Sequence, residues 1–376
     1  MMKQELNELF IKHFSCIKGP RIERCKRHLL LDILVLSLCA VMSGAEQWID
    51  IEAYGQEKEA WLKTFLKLPN GIPSHDTIAR VFASLDPTQF QQAFLNWIQA
   101  IKKELPGEVI AIDGKTLRGS RCFGKKGLHL VSAWATEQHL SLGQLKVDSK
   151  TNEITVVPKL LKLLMLKDAV VTLDAMGCQR RIAQQIKAQE AEYVLAVKEN
   201  QGRLHQSLQK TFLKAEANQF NAMTYSQHET VEGDHGRIET RRYTVLPLMY
   251  LHQFKCRWSG LQSLVQVENH RQIKGGEYSV NKRYYISSLP MKADLIAKVI
   301  RAHWRIENNL HWSLDVIFKE DLSRIRTAHA PENVGWLRRF ALSLLKKEPS
   351  LKASIRRKRF KALMDNKYLI SIFKAI

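Results

Sequence analysis

The chain has 376 residues, of which 45% are hydrophobic, so it can bury a sizeable core and divide into two or three domains. Lys and Arg (58) far exceed Asp and Glu (37), and the formal net charge is +21. This excess favours a polyanionic partner, nucleic acid first and an anionic membrane surface second, although a basic soluble protein without such a partner has the same composition. The longest apolar run, residues 29–42, is too short for a membrane span and contains Asp32, which excludes a transmembrane protein.

The six cysteines are scattered and form no C-x-x-C pair, so neither a zinc site nor a disulfide framework is indicated. The apolar run at residues 29–42 also begins too far into the chain for an ordinary signal peptide. These features predict a protein of the reducing cytoplasm.

Residues 1–105 have the periodicity of a helical N-terminal domain. Helices are predicted over residues 29–43 and 45–68, then after Ser74 as N-cap and again from Pro87. Basic residues lie between the helices. A DNA-binding bundle and a bundle that serves packing alone both fit this pattern.

The periodicity changes after Pro106-Gly107. Residues 109–113 and 169–174 read as buried strands that each end in a carboxylate, and a hairpin over 129–135 and 140–147 lies between them. Helices are predicted over residues 156–166 and around Ile182 and Ile186, and a further strand over 193–197. This alternation predicts an α/β core with a mixed sheet over residues 106–220.

Residues 221–292 contain several β-like segments and read as a β-rich insertion. Residues 293–346 then return the chain to the α/β core, with a helix over 331–346. Residues 347–376 form a basic tail, whose run from Lys352 to Lys361 is expected to be a solvated face or to contact phosphates.

One helical stripe in the second part of the core contains an acid. Ile300, Trp304, Glu307, His311, Leu314 and Phe318 recur at intervals of three and four residues, which predicts a single buried helix face. A buried carboxylate is costly unless a cation satisfies it. The partner of Glu307 is therefore either a metal ion or a buried Arg or Lys.

Asp113 and Asp174 end two buried strands, where ligands gather in open α/β sheets. Two neighbouring carboxylates repel each other unless a divalent cation or a proton intervenes. With Glu307 they offer three oxygen ligands, which suit Mg²⁺. Two such ions support in-line phosphoryl displacement. Lys115, Arg118 and Lys198 are expected to lie beside this site and to position phosphates there.

Five segments carry a resemblance to DDE transposases of bacterial insertion sequences, and more narrowly to H-repeat-associated proteins. They are AIDGKTLRGS (111–120), VVTLDAMGCQ (170–179), YVLAVKENQ (193–201), DHGRIETRR (234–242) and HWRIENNLHWSLDVIFKEDLSRIR (303–326). The resemblance implies a ribonuclease-H-like core interrupted by a β-strand insertion, with Asp113, Asp174 and Glu307 as the catalytic triad and as ligands of two Mg²⁺ or Mn²⁺ ions. It also implies strand cleavage and transfer on double-stranded DNA, at element ends and target, by a homo-oligomer.

The chain departs from this family's pattern upstream of Glu307. Ile300 stands where a Tyr is expected, and His303 where an Arg is expected. His303 itself, or Arg301 and Arg305, would then contact the phosphate. The other expected DNA contacts are Arg237, Arg241, Asn308, His311, Arg324 and Arg326.

Alternative interpretations remain open at this point. Glu320 and Asp321 compete for the role of third carboxylate, although local salt bridges to nearby Arg residues explain them as well. A zinc site on His303, Glu307 and His311 is disfavoured because no cysteine lies nearby. For the whole protein, a ribonuclease-H-like nuclease, an immobile copy that binds DNA without transposing, and a DNA-binding protein without catalysis are the alternatives to a transposase.

Overall fold

The computed structural model describes residues 2–21, 26–101, 106–121, 127–148, 152–234, 236–273 and 276–374. Cys25 and Cys122 lie outside these ranges, and so do residues 102–105 of the predicted N-terminal domain. Among the described residues, no helix is both long enough and apolar enough to cross a bilayer.

Five helices precede the first strand. They are α1 (Met2–Phe14), α2 (Leu30–Met42), α3 (Trp48–Leu62), α4 (His75–Ser84) and α5 (Pro87–Ile101). The predicted N-cap of α4 is confirmed, since the Ser74 side chain accepts a hydrogen bond from the Thr77 backbone amide. Helix α2 is buried over most of its length, and its one acid, Asp32, accepts the Leu68 amide at 2.7 Å. That hydrogen bond explains how a carboxylate is tolerated inside an apolar helix.

Nine strands form one continuous mixed sheet in the order β3-β2-β1-β4-β5-β9-β8-β7-β6. They are β1 (Val109–Thr116), β2 (His129–Ala135), β3 (Leu140–Val147), β4 (Val170–Leu173), β5 (Glu192–Val197), β6 (Ser226–Asp234), β7 (Arg237–Pro247), β8 (Ser263–Ile273) and β9 (Tyr278–Ser287). The first five have the ribonuclease-H-like arrangement, with an antiparallel β3-β2-β1 meander followed by parallel β4 and β5. The predicted fold class and the predicted hairpin of β2 and β3 are confirmed.

The register between β1 and β4 determines where Asp113 and Asp174 lie. The prediction that Asp113 ends its strand is wrong, because β1 continues to Thr116 along β2, and only its pairing with β4 stops before Asp113. The strands are parallel, and Ile112 pairs with Leu173. Asp113 and Asp174 each follow that pair by one residue, so both carboxylates come to the same edge of the sheet.

The β-rich segment extends the central sheet instead of forming a separate body. Strands β6 to β9 are antiparallel to one another, and β9 pairs with β5 from Val194↔Ser287 to Val197↔Tyr284. The chain reaches them through α6 (Glu153–Leu163), α7 (Arg180–Ala188) and α8 (Gly202–Ala217).

Both faces of the sheet are covered. Helix α9 (Ala293–His303) packs on one face, across β1, β4 and β7. On the other face, α6 and α10 (Ala330–Lys347) contact β3, and α10 also packs against α2, α4 and α5. At the centre of this second layer the Phe340 ring lies 4.3 Å from Phe94 and 4.4 Å from Trp97, measured between centroids. The N-terminal helices and the sheet therefore share one core.

The basic C-terminal run is not simply a solvated face. It forms α11 (Ile355–Met364), which is followed by α12 (Asn366–Lys374). Lys358 and Arg359 are buried: Lys358 donates to the Leu345 carbonyl at 2.9 Å, and Arg359 to the Val41 carbonyl at 3.0 Å. These cations bind helix C-terminal carbonyls, which carry partial negative charge, and so hold α11 to α2 and α10.

Candidate active site

Two backbone amides fix the carboxylates of Asp113 and Asp174. The Gly114 amide donates to Asp113 Oδ1 at 2.9 Å, and the Gly177 amide donates to Asp174 Oδ1 at 3.1 Å. Asp113 is half-buried, whereas Asp174 is exposed. Each carboxylate thus has one satisfied oxygen and further lone pairs for a ligand.

The prediction that Glu307 lies on a buried stripe is wrong. Glu307 and Trp304 are exposed, while Ile300, His311 and Phe318 are buried. The reason is local: α9 ends at His303, and two π-helical segments follow, Glu307–His311 and Ser313–Ile317. The end of α9 at His303 and the π-helical segments after it depart from the regular α-helical period, and the two stripe positions at this junction, Trp304 and Glu307, become exposed. Glu307 therefore needs no buried cation and is free to face a ligand.

The acids nevertheless share an electrostatic environment. Burial is the main cause that raises the pKa of Asp113, to about 7, against the opposing hydrogen bond from Gly114; the charges of Asp174, Glu153 and Glu307 raise it further. Among the described residues, no Lys or Arg forms an ion pair with Asp113, Asp174 or Glu307. The arrangement is an anionic site that lacks a fixed counter-charge.

His311 lies on the inner side of this site. Its Nδ1 is 3.5 Å from Asp113 Oδ2, and its Nε2 is buried without a hydrogen-bond partner. Burial, helped by Arg339 and Lys115, lowers the pKa of His311 to about 3. A neutral, buried imidazole does not serve as a cationic phosphate contact, so the expected DNA role of His311 is not supported.

Lys115 is likewise directed inward. It is buried, bonds Asp315, and lies 3.1 Å from Glu320 Oε2 and 3.8 Å from Asp321 Oδ1. Its charge is therefore already matched by three carboxylates, and the expected phosphate contact is not available to it. Glu320 in turn binds the buried Arg339 at 2.8 Å. Glu320 and Asp321 thus form salt bridges, as the simpler of the two interpretations predicted.

A cavity of about 350 Å³ opens beside Asp174 and contains two of the predicted DNA contacts, Lys198 and His303. His303 is held by Thr172, with 2.9 Å between Nδ1 and Oγ1, and burial lowers its pKa to about 4. It is a neutral ring near pH 7. The cations of this cavity are Lys198, Lys282 and Arg283, and the Arg283 guanidinium lies 5.2 Å from the centre of the Trp304 ring.

Arg237, Arg241 and Asn308 line a second concavity, of about 460 Å³, on the outer strands. Arg241 is largely committed to Glu232, at 2.8 Å, and to Glu239. Arg237 is more exposed, and its one ion pair among the described residues, with Glu239, is longer, at 3.5 Å. Arg305 lies elsewhere, paired at 2.5 Å with the exposed Glu137. Surface pairs exchange readily, so Arg237 and Arg305 keep access to an anionic ligand, whereas the Arg241 side chain is only 12% exposed and stays with its two acids.

Arg324 and Arg326 line a concavity of about 990 Å³ between the N-terminal helices and the segment from Lys319 to Thr327. We call it the loop groove; its cations are Arg80, Lys319, Arg324 and Arg326. Arg326 Nε donates to the Gly119 carbonyl at 2.9 Å, which places the groove next to the turn that follows β1. Arg118 belongs to that turn, and 79% of its side chain is exposed.

Glu153 and His129 were not among the site residues predicted from the sequence, and the structure places the Glu153 carboxylate next to Gly114, beside Asp113. His129 Nε2 is 2.6 Å from Glu153 Oε1, and His129 Nδ1 is 2.7 Å from Thr116 Oγ1. An acid in the first turn of a helix is common because it complements the helix dipole, so Glu153 carries no distinguishing signal in the sequence.

The donors of the site fit a hard divalent cation in chemistry, since all are carboxylate oxygens and their charge is uncompensated. Among the residues that the structure describes, no three Asp, Glu, His or Cys side chains come close enough to hold one metal ion. Side-chain rotation would be needed to close such a site around an ion.

Comparison with known families gives two matches along the chain. The family described as "Transposase DDE domain" matches residues 104–344, and the family described as "DDE_Tnp_1-associated" matches residues 11–98. The first match contains Asp113, Asp174 and Glu307, and the second contains most of the N-terminal helices.

Individual relatives agree with this. The chain is 43% identical to "Putative transposase YncI" of Escherichia coli O157:H7, over 96% of this chain and 93% of that protein. It is 41% identical to "H repeat-associated putative transposase YhhI" of Escherichia coli strain K12, over 98% of each. Among solved structures, a piggyBac transposase synaptic complex with hairpin DNA is 12% identical with a TM-score of 0.45, and covers 96% of this chain and 80% of that one. That structural likeness is too weak to carry an argument.

Proposed function

We propose that Asp113, Asp174 and Glu307 are the catalytic acids of this chain, which belongs to the transposase DDE family and is a DNA transposase. The observation that supports this most directly is the uncompensated anionic site formed where β1, β4 and the π-helical segment meet. We propose Mg²⁺ or Mn²⁺, as two ions, as its cofactor.

When bound, divalent cations supply an activated oxygen nucleophile and stabilise the leaving oxygen of a phosphodiester. The chain contributes the rest. Asp113 and Asp174 hold fixed positions through the Gly114 and Gly177 amides, so two ligands are in place before DNA binds. Glu307, being exposed, approaches from the helical side. The neutral His303 borders the site without competing for the carboxylates.

The path of the DNA follows from the exposed cations. The loop groove and Arg118 form a basic band next to β1, and Arg237 adds a cation on the outer strands. Lys198 and Arg283 lie between them, beside Asp174. We propose that these residues bind the phosphates of double-stranded element ends and target. We further propose that the chain acts as a homo-oligomer on DNA, since both element ends must be held together.

A strand-transfer assay tests the catalytic assignment. The purified full chain is incubated with duplexes that carry the terminal inverted repeats of its own element, a target plasmid and Mg²⁺ or Mn²⁺. Asp174→Asn is expected to lower cleavage and joining at least about 100-fold, because ligand-shell substitutions at metal sites already cost 10- to 100-fold.

Asp168→Asn is the matched control. Asp168 precedes the same strand, β4, at its opposite end and has a left-handed backbone (φ 59°), which Asn tolerates well. This variant should keep wild-type activity. Wild-type protein that neither cleaves nor joins under these conditions would contradict the proposal, and cleavage without joining would identify a nuclease instead.

A further inference from the structure

Glu153 lies directly over the residue that follows Asp113. A Cβ placed on Gly114 would be 2.1 Å from Glu153 Oε1 and 2.4 Å from its carboxyl carbon. Only glycine therefore leaves room for the Glu153 carboxylate at this position. The contact brings a fourth acid to the edge of the sheet that holds Asp113 and Asp174.

A short hydrogen-bonded chain fixes the orientation of Glu153. Thr116 and His129 belong to paired strands, and the His129 ring bridges from Thr116 Oγ1 to Glu153 Oε1, at 2.7 and 2.6 Å. Among the hydrogen bonds of the described residues, none involves Glu153 Oε2. One carboxylate oxygen is thus held by His129, while the other remains open for a ligand. Carboxylates that bind a metal are commonly held by such a hydrogen bond from an outer group.

A second observation lies on the other side of Asp113. The His311 ring is 92% buried, faces Asp113 across 3.5 Å, and has an unpartnered Nε2. A buried polar atom without a partner is uncommon and calls for an unseen water or ion. Asp113 is therefore bordered by the Glu153 carboxylate on one side and by a buried imidazole on another.

The charges also favour a fourth acid. Asp113, Asp174 and Glu307 carry three negative charges, and among the described residues no Lys or Arg pairs with Glu153 either. With Glu153 the total becomes four, which matches the charge of two divalent cations. Three acids alone would leave a net positive site.

We propose that Glu153 is a fourth carboxylate ligand of the divalent cations, and that His129 is the positioning residue that orients it. This rests on the metal site proposed above. Gly114 is required because any side chain there would displace the Glu153 carboxylate.

Calorimetric titration of the full chain with Mn²⁺, in the absence of DNA, tests the proposal by a measurement other than activity. Glu153→Gln is expected to weaken Mn²⁺ binding by about 10- to 100-fold. His129→Ala keeps all carboxylates but loses the orienting bond, and should weaken binding about 10-fold. Melting temperatures of the metal-free proteins establish that both variants fold.

Glu52→Gln is the matched control, because Glu52 also pairs with a histidine, His75, at 2.5 Å, but on the N-terminal helices. It should bind Mn²⁺ like the wild type. Loss of binding in Asp174→Asn, with Glu153→Gln indistinguishable from Glu52→Gln, would overturn the inference and leave the proposed catalytic acids intact. If Asp174→Asn also binds like the wild type, the metal site itself is wrong.

Discussion

Replacing Glu320 by Gln should destabilise the protein by about 3 kcal/mol. The Glu320 side chain is fully buried and binds Arg339, which is fully buried as well, and Lys115. Burial alone would raise the pKa of Glu320, but Arg339 and Lys115 outweigh it and lower the pKa from 4.5 to about 2. That difference corresponds to about 3 kcal/mol of interaction with the charged form. It agrees with the ~3–5 kcal/mol expected when one partner of a buried pair is removed.

The measurement is urea unfolding, followed by tryptophan fluorescence at pH 7. Asp321→Asn is the control, because Asp321 is 3.8 Å from Lys115 and partly exposed, so its loss should cost less than about 1 kcal/mol. Lys115 keeps Asp315 in both variants, whereas Arg339 loses its only carboxylate among the described residues in Glu320→Gln alone.

The pH dependence gives a second check. A carboxyl group whose pKa is lowered by folding stabilises the protein above its unfolded pKa, and this contribution is lost as the pH falls through the folded pKa. For Glu320 the window runs from about 4.5 down to about 2. The difference in unfolding free energy between wild type and Glu320→Gln should therefore shrink across that window. A difference below about 1 kcal/mol at pH 7, or one that is constant with pH, would refute the reasoning.

Two further predictions concern the core and the DNA surface. Phe340→Ala should lower the unfolding free energy by about 3–5 kcal/mol, since the ring is buried among other aromatic rings. The control Phe360→Ala, at an exposed ring, should change the unfolding free energy by less than about 0.5 kcal/mol. Equal effects of the two substitutions in a urea titration would contradict the packing described. Replacing Arg324 and Arg326 together by Ala should reduce the salt dependence of duplex binding, the slope of log K against log salt, by about 2. Binding is measured by fluorescence anisotropy, and the control Lys167→Ala, an exposed residue at the far end of β4, should leave the slope unchanged. An unaltered slope in the double variant would show that the loop groove does not bind the DNA.

The central sheet could be predicted largely from the sequence because its strands are buried and their apolar runs are short and clearly bounded. Strands β2 and β3 begin and end where the alternation predicted. The same reasoning predicted that Asp113 and Asp174 lie at the same edge of the sheet, since neighbouring parallel strands run in register. Continuity of the sheet into β9 was not predictable, because pairing between β5 and a strand more than 80 residues away leaves no local signal.

The helical side of the site was harder to predict. The spacing from Ile300 to Phe318 assumed an α-helical period, and the π-helical segments changed which side chains face inward. Lys115 was misplaced for another reason. It is two residues after Asp113 on the same strand and seemed suited to a phosphate, but its partners Asp315 and Glu320 lie about 200 residues further on. Only the folded chain reveals that its charge is already matched.

The pairing of β9 with β5 gives the outer strands a fixed distance from the proposed catalytic acids. From β4 to β6 the sheet crosses five strand-to-strand spacings, about 24 Å at ~4.8 Å each. This corresponds to about seven base pairs of duplex at ~3.4 Å per base pair. The outer strands cannot shift relative to Asp174 without breaking backbone hydrogen bonds of the sheet. The extension would then act as a ruler, setting the number of base pairs between the sequence that is gripped and the bond that is cut.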